Sequence, residues 1–99
     1  MFRLELGTVD SIDPAAIISL EIEKLKRARA SGDAPAFGRI AHTMKSVARA
    51  FGADRLSDAA QQLEALGFDD NLAAAGPFIE QLEAEHPRLR DYVGRLASA

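Results

Sequence analysis

From Ile18 to Leu96 the apolar side chains recur three and four residues apart, and past the first dozen residues no β-branched run alternates with a strand's period of two. Ala, Leu, Glu, Gln, Lys and Arg dominate that stretch, so spacing and intrinsic propensity agree on helix. The start and stop signals divide it into four. The first helix follows Asp13-Pro14, a capping acceptor with proline at the first helical position, and runs to about Ala30 before Ser31-Gly32-Asp33. Its inner stripe is Ile18, Ile22 and Leu25. The second starts after Asp33, carries Pro35 in its first turn and reaches Phe51, with Gly52 offering a left-handed stop. The third runs from Asp54 to Leu66, with Leu56, Ala59, Ala60, Leu63 and Leu66 on one side, and closes at Gly67. The fourth begins after Asp69 or Asp70, and Gly76-Pro77 is either a kink within it or its true start. Its inner positions are Ile79, Leu82, Leu89, Val93 and Leu96, and Pro87 falls on the opposite face, where proline bends a helix around its core.

With short connections between amphipathic helices, the expected fold is all-α: an antiparallel up-down-up-down four-helix bundle, with the segment Phe2 to Leu6 packed at one end. Ninety-nine residues with 47% apolar side chains suffice for one core, so residues 1–99 read as a single domain. The chain has no cysteine, which removes disulfides, thiolate metal sites and a cysteine nucleophile. Arg3, Glu5 and Asp10 break up the apolar residues at the start, and no stretch approaches the roughly 20 apolar residues that span a bilayer. A cytoplasmic protein without membrane attachment is expected. A net charge of -3, without basic or aromatic stripes, argues against nucleic acid as a partner.

The second helix carries the chemistry. Phe37, Ile40, Ala41, Met44, Val47, Ala48 and Phe51 project within about 60° of a common direction at 100° per residue. On the same wheel His42 lies roughly 160° from the centre of that arc, which puts its imidazole in water at mid-helix. Gly38, Arg39, Lys45, Ser46 and Arg49, three, four or seven residues away, share its surface patch. Gly38 and Ser46 are small and leave the ring accessible to another protein. Arg39, Lys45 and Arg49 are cations able to pair with phosphate oxygens. Glycine within a helix costs about 1 kcal/mol relative to alanine, and close approach of a partner is one reason for Gly38 to be there. No carboxylate dyad, phosphate-cradling glycine loop or metal-ligand cluster accompanies His42, so the chain can hold a phosphoryl group but has little with which to catalyse its transfer alone.

The run Ala41-His42-Thr43-Met44-Lys45-Ser46-Val47-Ala48-Arg49-Ala50-Phe51-Gly52-Ala53, followed by Leu56 and then Leu63-Glu64, resembles the histidine-containing phosphotransfer (HPt) domains of bacterial phosphorelays. The motif covers about a quarter of the chain, and the helix pattern extends the likeness to most of the rest. The resemblance implies that His42 is phosphorylated, that Lys45 assists the phosphoryl group, and that Gly52-Ala53 forms the turn into the next helix. It implies a phosphoryl carrier rather than an enzyme, with response regulator receiver domains and a hybrid histidine kinase as partners. The chain itself would need no cofactor; Mg2+ is expected on the receiver. Ser46 departs from the family's usual glycine, which bears on efficiency or partner choice, although its hydroxyl is able to donate to a phosphoryl oxygen.

His86, next to Pro87 at the edge of the inner stripe, reads as a partly buried structural histidine. Ile17 and Leu20 lie off the main stripe of the first helix and have two readings: core or N-terminal packing, or a docking patch for a receiver. Two alternatives to phosphotransfer stand beside it: a bundle that only binds or sequesters a receiver, and a helical adaptor whose histidine is incidental. The resemblance implies a monomer, as is common for HPt bundles of this length, with a dimeric bundle, as in some histidine-bearing relatives, as the alternative.

Overall fold

The computed structural model describes residues 13–98; the expected packing of Phe2 to Leu6 lies outside them. Four α-helices make up nearly all of that span: α1 (Pro14–Ser31), α2 (Ala34–Ala50), α3 (Asp54–Phe68) and α4 (Gly76–Ser98), with a 3-10 turn at Leu72–Ala75 before the last. No strand occurs among the described residues.

Local chemistry sets most of the boundaries. The Asp13 carboxylate accepts from the Ala15 N–H at 2.9 Å and that of Asp33 from the Ala36 N–H at 3.1 Å, each satisfying an otherwise orphaned donor of a helix start. Gly32 and Gly52 adopt φ of +72° and +69°, the left-handed stops that end α1 and α2. The third helix ends differently from expectation. It continues through Gly67, which is buried, to Phe68, and the left-handed turn falls on Asp70 with φ +55°. At the start of α4 the expected choice resolves towards Gly76, the first residue of the α-helix, with the 3-10 turn in front of it. The Arg29 guanidinium secures that turn by donating to the carbonyls of Leu72 and Ala73.

The buried side chains form one cluster to which all four helices contribute, with Ile18, Leu25, Phe37, Met44, Leu56, Leu63 and Leu82 wholly enclosed. Two expected core positions prove exposed. Phe51 is not within α2 but follows its last turn as the C-cap residue, and Leu96 lies on the last turns of α4. His86 locates the second: its Nε2 donates to the Ala15 carbonyl at 2.7 Å in the first turn of α1, and Leu96 lies beyond both this level and the still-buried Leu89. This contact also accounts for a half-buried His86. Pro87 is half-buried rather than turned fully to solvent, and α4 runs unbroken through it. No helix among the described residues is long and apolar enough to cross a membrane.

Candidate functional site

A flank of α2 beside its core stripe meets α3, and small residues set how closely. A β-carbon built on Gly67 would sit 2.8 Å from the Gly38 nitrogen and 2.9 Å from the Gly38 Cα, so only glycine permits α3 to approach α2 at this level. A β-carbon on Gly38 would make only ordinary contacts, 3.9 Å and beyond. The internal crossing therefore demands Gly67, and Gly38 is not required by it.

Four residues on from Gly38 along α2, and three back from Gly67 along α3, stand His42 and Glu64. The His42 side chain is 60% exposed, as the helical wheel requires. Its Nδ1 lies 2.8 Å from Glu64 Oε2, and the Lys45 ammonium donates to Glu64 Oε1 at 2.5 Å. One carboxylate thus bridges the ring and the cation. The Lys45 hydrogen bond holds the Glu64 carboxyl below its usual range and the His42 contact acts in the same sense, with partial burial opposing both. Glu64 is consequently a carboxylate at neutral pH.

The remaining residues of the expected site are less uniformly placed. Arg49 is exposed and donates to Gln61 Oε1 at 3.2 Å, one turn further along the same seam. Ser46 is exposed. Gly38 and Arg39 join Ala34, Pro35, Thr43, Glu64, Gly67 and Phe68 around a groove of ≈ 580 Å³ that opens beside His42. Phe68 at its rim is 91% exposed. Ile17 is half-buried and Leu20 exposed on α1, and neither lines this groove.

An imidazole standing in solvent at mid-helix, with a lysine one turn away, is the arrangement that the resemblance in sequence implies, and a family model for the Hpt domain matches residues 18–98. The chain belongs to the Hpt domain family. No curated protein and no solved structure matched it in the same comparisons. Hpt domains are phosphoryl carriers of histidine phosphotransfer in phosphorelays rather than enzymes, and they act together with receiver domains and kinases.

Glu64 enters the sequence reading only as part of the run that resembles the family, with no role given to it at the candidate site. It follows Leu63 of the core stripe, so it sits at the boundary between packed and solvated faces. Its acidity opposite the cationic face of α2 was a signal, but pairing residues 22 apart requires knowing which helices touch and at what level.

Proposed function

We propose that His42 accepts a phosphoryl group from the aspartyl phosphate of one receiver domain and yields it to the aspartate of another. A hybrid histidine kinase or an upstream regulator would be the donor, and a downstream response regulator the acceptor. The observation that carries this reading is the exposed ring of His42 beside the Lys45 ammonium, in a chain of the Hpt family. Lys45 offsets charge on the phosphoryl oxygens, with Arg49 and the Ser46 hydroxyl as further donors on the same face. The receiver supplies Mg2+ and most of the catalytic groups. Gly38 and Arg39, on the groove beside the ring, are docking residues, and Ile17 and Leu20 offer a second patch on α1.

In this reading residues 1–99 act as one domain, a cytoplasmic monomer. Contacts between Ala15 and His86, Lys26 and Glu83, and Arg29 and Leu72 step in opposite directions along α1 and the chain leading into α4, which supports an up-down-up-down bundle.

The test is to mix the purified protein with a phosphorylated receiver domain and follow acid-labile, base-stable phosphate on the Hpt chain, alongside His42→Gln. Labelling of the wild type alone is expected. Equal labelling of the variant would remove His42 as the site, and no labelling by any of several receivers would favour a bundle that binds receivers without transfer.

A further inference from the structure

We propose that the groove between the start of α3 and the last turns of α4 is a docking site for this chain's own leading segment, with Phe2, Leu4 and Leu6 laid into it. The inference stands independently of the phosphorelay reading of His42. Five large apolar side chains are exposed among the described residues, and three of them, Phe51, Tyr92 and Leu96, gather at the end of the bundle where α1 begins. Leu89 of α4 is buried, but its face of the helix runs on through half-buried Val93 to exposed Leu96. At 1.5 Å per residue that face continues about 10 Å past Leu89. The first turn of α1 stands back at the level of His86, so it does not cover this stretch. Phe51, Leu56, Leu89 and Tyr92 line a groove of ≈ 460 Å³ at the same end. An apolar surface of this kind, gathered at one place and rimmed by charge, is the mark of a docking site.

The segment that leads into α1 suits the surface in pattern and in reach. Asp13 has extended backbone, with φ -126° and ψ 108°, so the chain arrives at this end already extended. Phe2, Leu4 and Leu6 alternate with Arg3 and Glu5, which in an extended chain places the three apolar side chains on one side. From Phe2 to Leu6 such a chain covers about 13 Å, close to the length of the uncovered face of α4. Residues 7–12 give a reach of about 20 Å. The distance to bridge is shorter: α4 is the neighbour of α1 through the His86–Ala15 contact, and packed helices lie about 8–10 Å apart.

The backbone of a docked segment also needs partners. Arg55 and Arg88 on the rim are exposed and stand 4.0 and 3.9 Å from Glu85, contacts long enough to leave both guanidiniums with N–H donors for carbonyls of the segment. A second copy of the chain is the other occupant of suitable chemistry. The segment has the advantage of its tether, since a short one sets an effective concentration on the order of millimolar. Phe51 lies nine residues beyond His42, about 14 Å along the helix, so the segment covers the end of the bundle without masking the ring.

Tyr92 is the chain's one tyrosine and there is no tryptophan, so intrinsic fluorescence reports on this groove alone. In the full chain, nuclear Overhauser contacts are expected from the methyl groups of Leu4 and Leu6 to the rings of Phe51 and Tyr92. The double variant Leu4→Ser, Leu6→Ser is expected to lose them and to raise the quenching of Tyr92 fluorescence by acrylamide. Absence of these contacts in the wild type, or quenching that the variant leaves unchanged, would overturn the inference. Contacts found only between differently labelled chains of a mixed sample would overturn it too, by giving the groove to a second copy. The wild-type contacts are read on the native chain, so the outcome holds even if the variant folds poorly, and no phosphoryl donor is present, so it is separate from whether His42 is labelled.

Discussion

On the phosphorelay reading, the two cations offered to the phosphoryl group, Lys45 and Arg49, differ in what holds them. The Lys45 side chain is only 16% exposed and its ammonium reaches Glu64, so its position is fixed by packing as well as by charge. Arg49 is tied to the neutral Gln61 amide instead, one turn away from the ring. Lys45→Ala is therefore expected to slow receiver-dependent labelling of His42 by roughly tenfold or more, and Arg49→Ala by only a few-fold. Single-turnover transfer from a phosphorylated receiver measures both, and a larger loss for Arg49 would invert the roles assigned here. Acidity adds a second expectation. The Glu64 carboxyl has an ordinary value of 4.5 and lies below it in the fold. Its contribution to stability is accordingly complete above 4.5 and is lost as the pH falls through the lowered folded value. The difference in denaturant stability between the wild type and Glu64→Gln should narrow as the pH falls from 4.5 through the lowered value. A difference that does not narrow over that acidic range would contradict the assignment of the bridge.

At the scale of elements, what brings ring and carboxylate together is the way α3 lies on α2. The close approach at Gly67 aligns the seam so that residues ascending α2 meet residues descending α3: Gly38 with Gly67, His42 and Lys45 with Glu64, Arg49 with Gln61. Gly67→Ala would drive a methyl group into the Gly38 backbone and push the two helices apart. The expected cost is about 1–3 kcal/mol of stability, accompanied by loss of the His42–Glu64 contact. Gly38→Ala meets no such obstacle and gains helix propensity, so it is expected to be neutral or to stabilise by up to about 1 kcal/mol. Chemical denaturation of the two variants decides between this account and one in which Gly38 is the crossing residue. If Gly38→Ala folds well yet is labelled more slowly, Gly38 serves the partner and not the bundle.

Taken as a whole, the molecule presents a groove bounded by the first half of α2 and the end of α3, with His42 and Glu64 on its wall and Phe68 at its rim. Phe68 touches little of its own chain, so Phe68→Ser should leave stability within about 0.5 kcal/mol. On the phosphorelay reading it should raise the receiver concentration needed for half-maximal labelling, since exposed aromatics beside a reactive group commonly anchor partners. An unchanged concentration dependence would place the receiver elsewhere. Much of this molecule was legible in advance. The period of the apolar residues gave the four helices and most of the core, and Asp13-Pro14, Asp33, Gly32 and Gly52 gave their caps, because these depend on neighbours within a few residues. The exposure of His42 followed from the same periodicity. Local signals misled where a residue served another element: Gly67 reads as a helix stop but acts as a contact surface, and Leu96 continues a core stripe past the point where α1 stands opposite. The sequence by itself determined which face of α2 is dry and that a histidine stands on the wet one. That Glu64 would meet this histidine was decided by the tertiary structure alone, because the axial offset and separation of two helices depend on the packing of both surfaces at once.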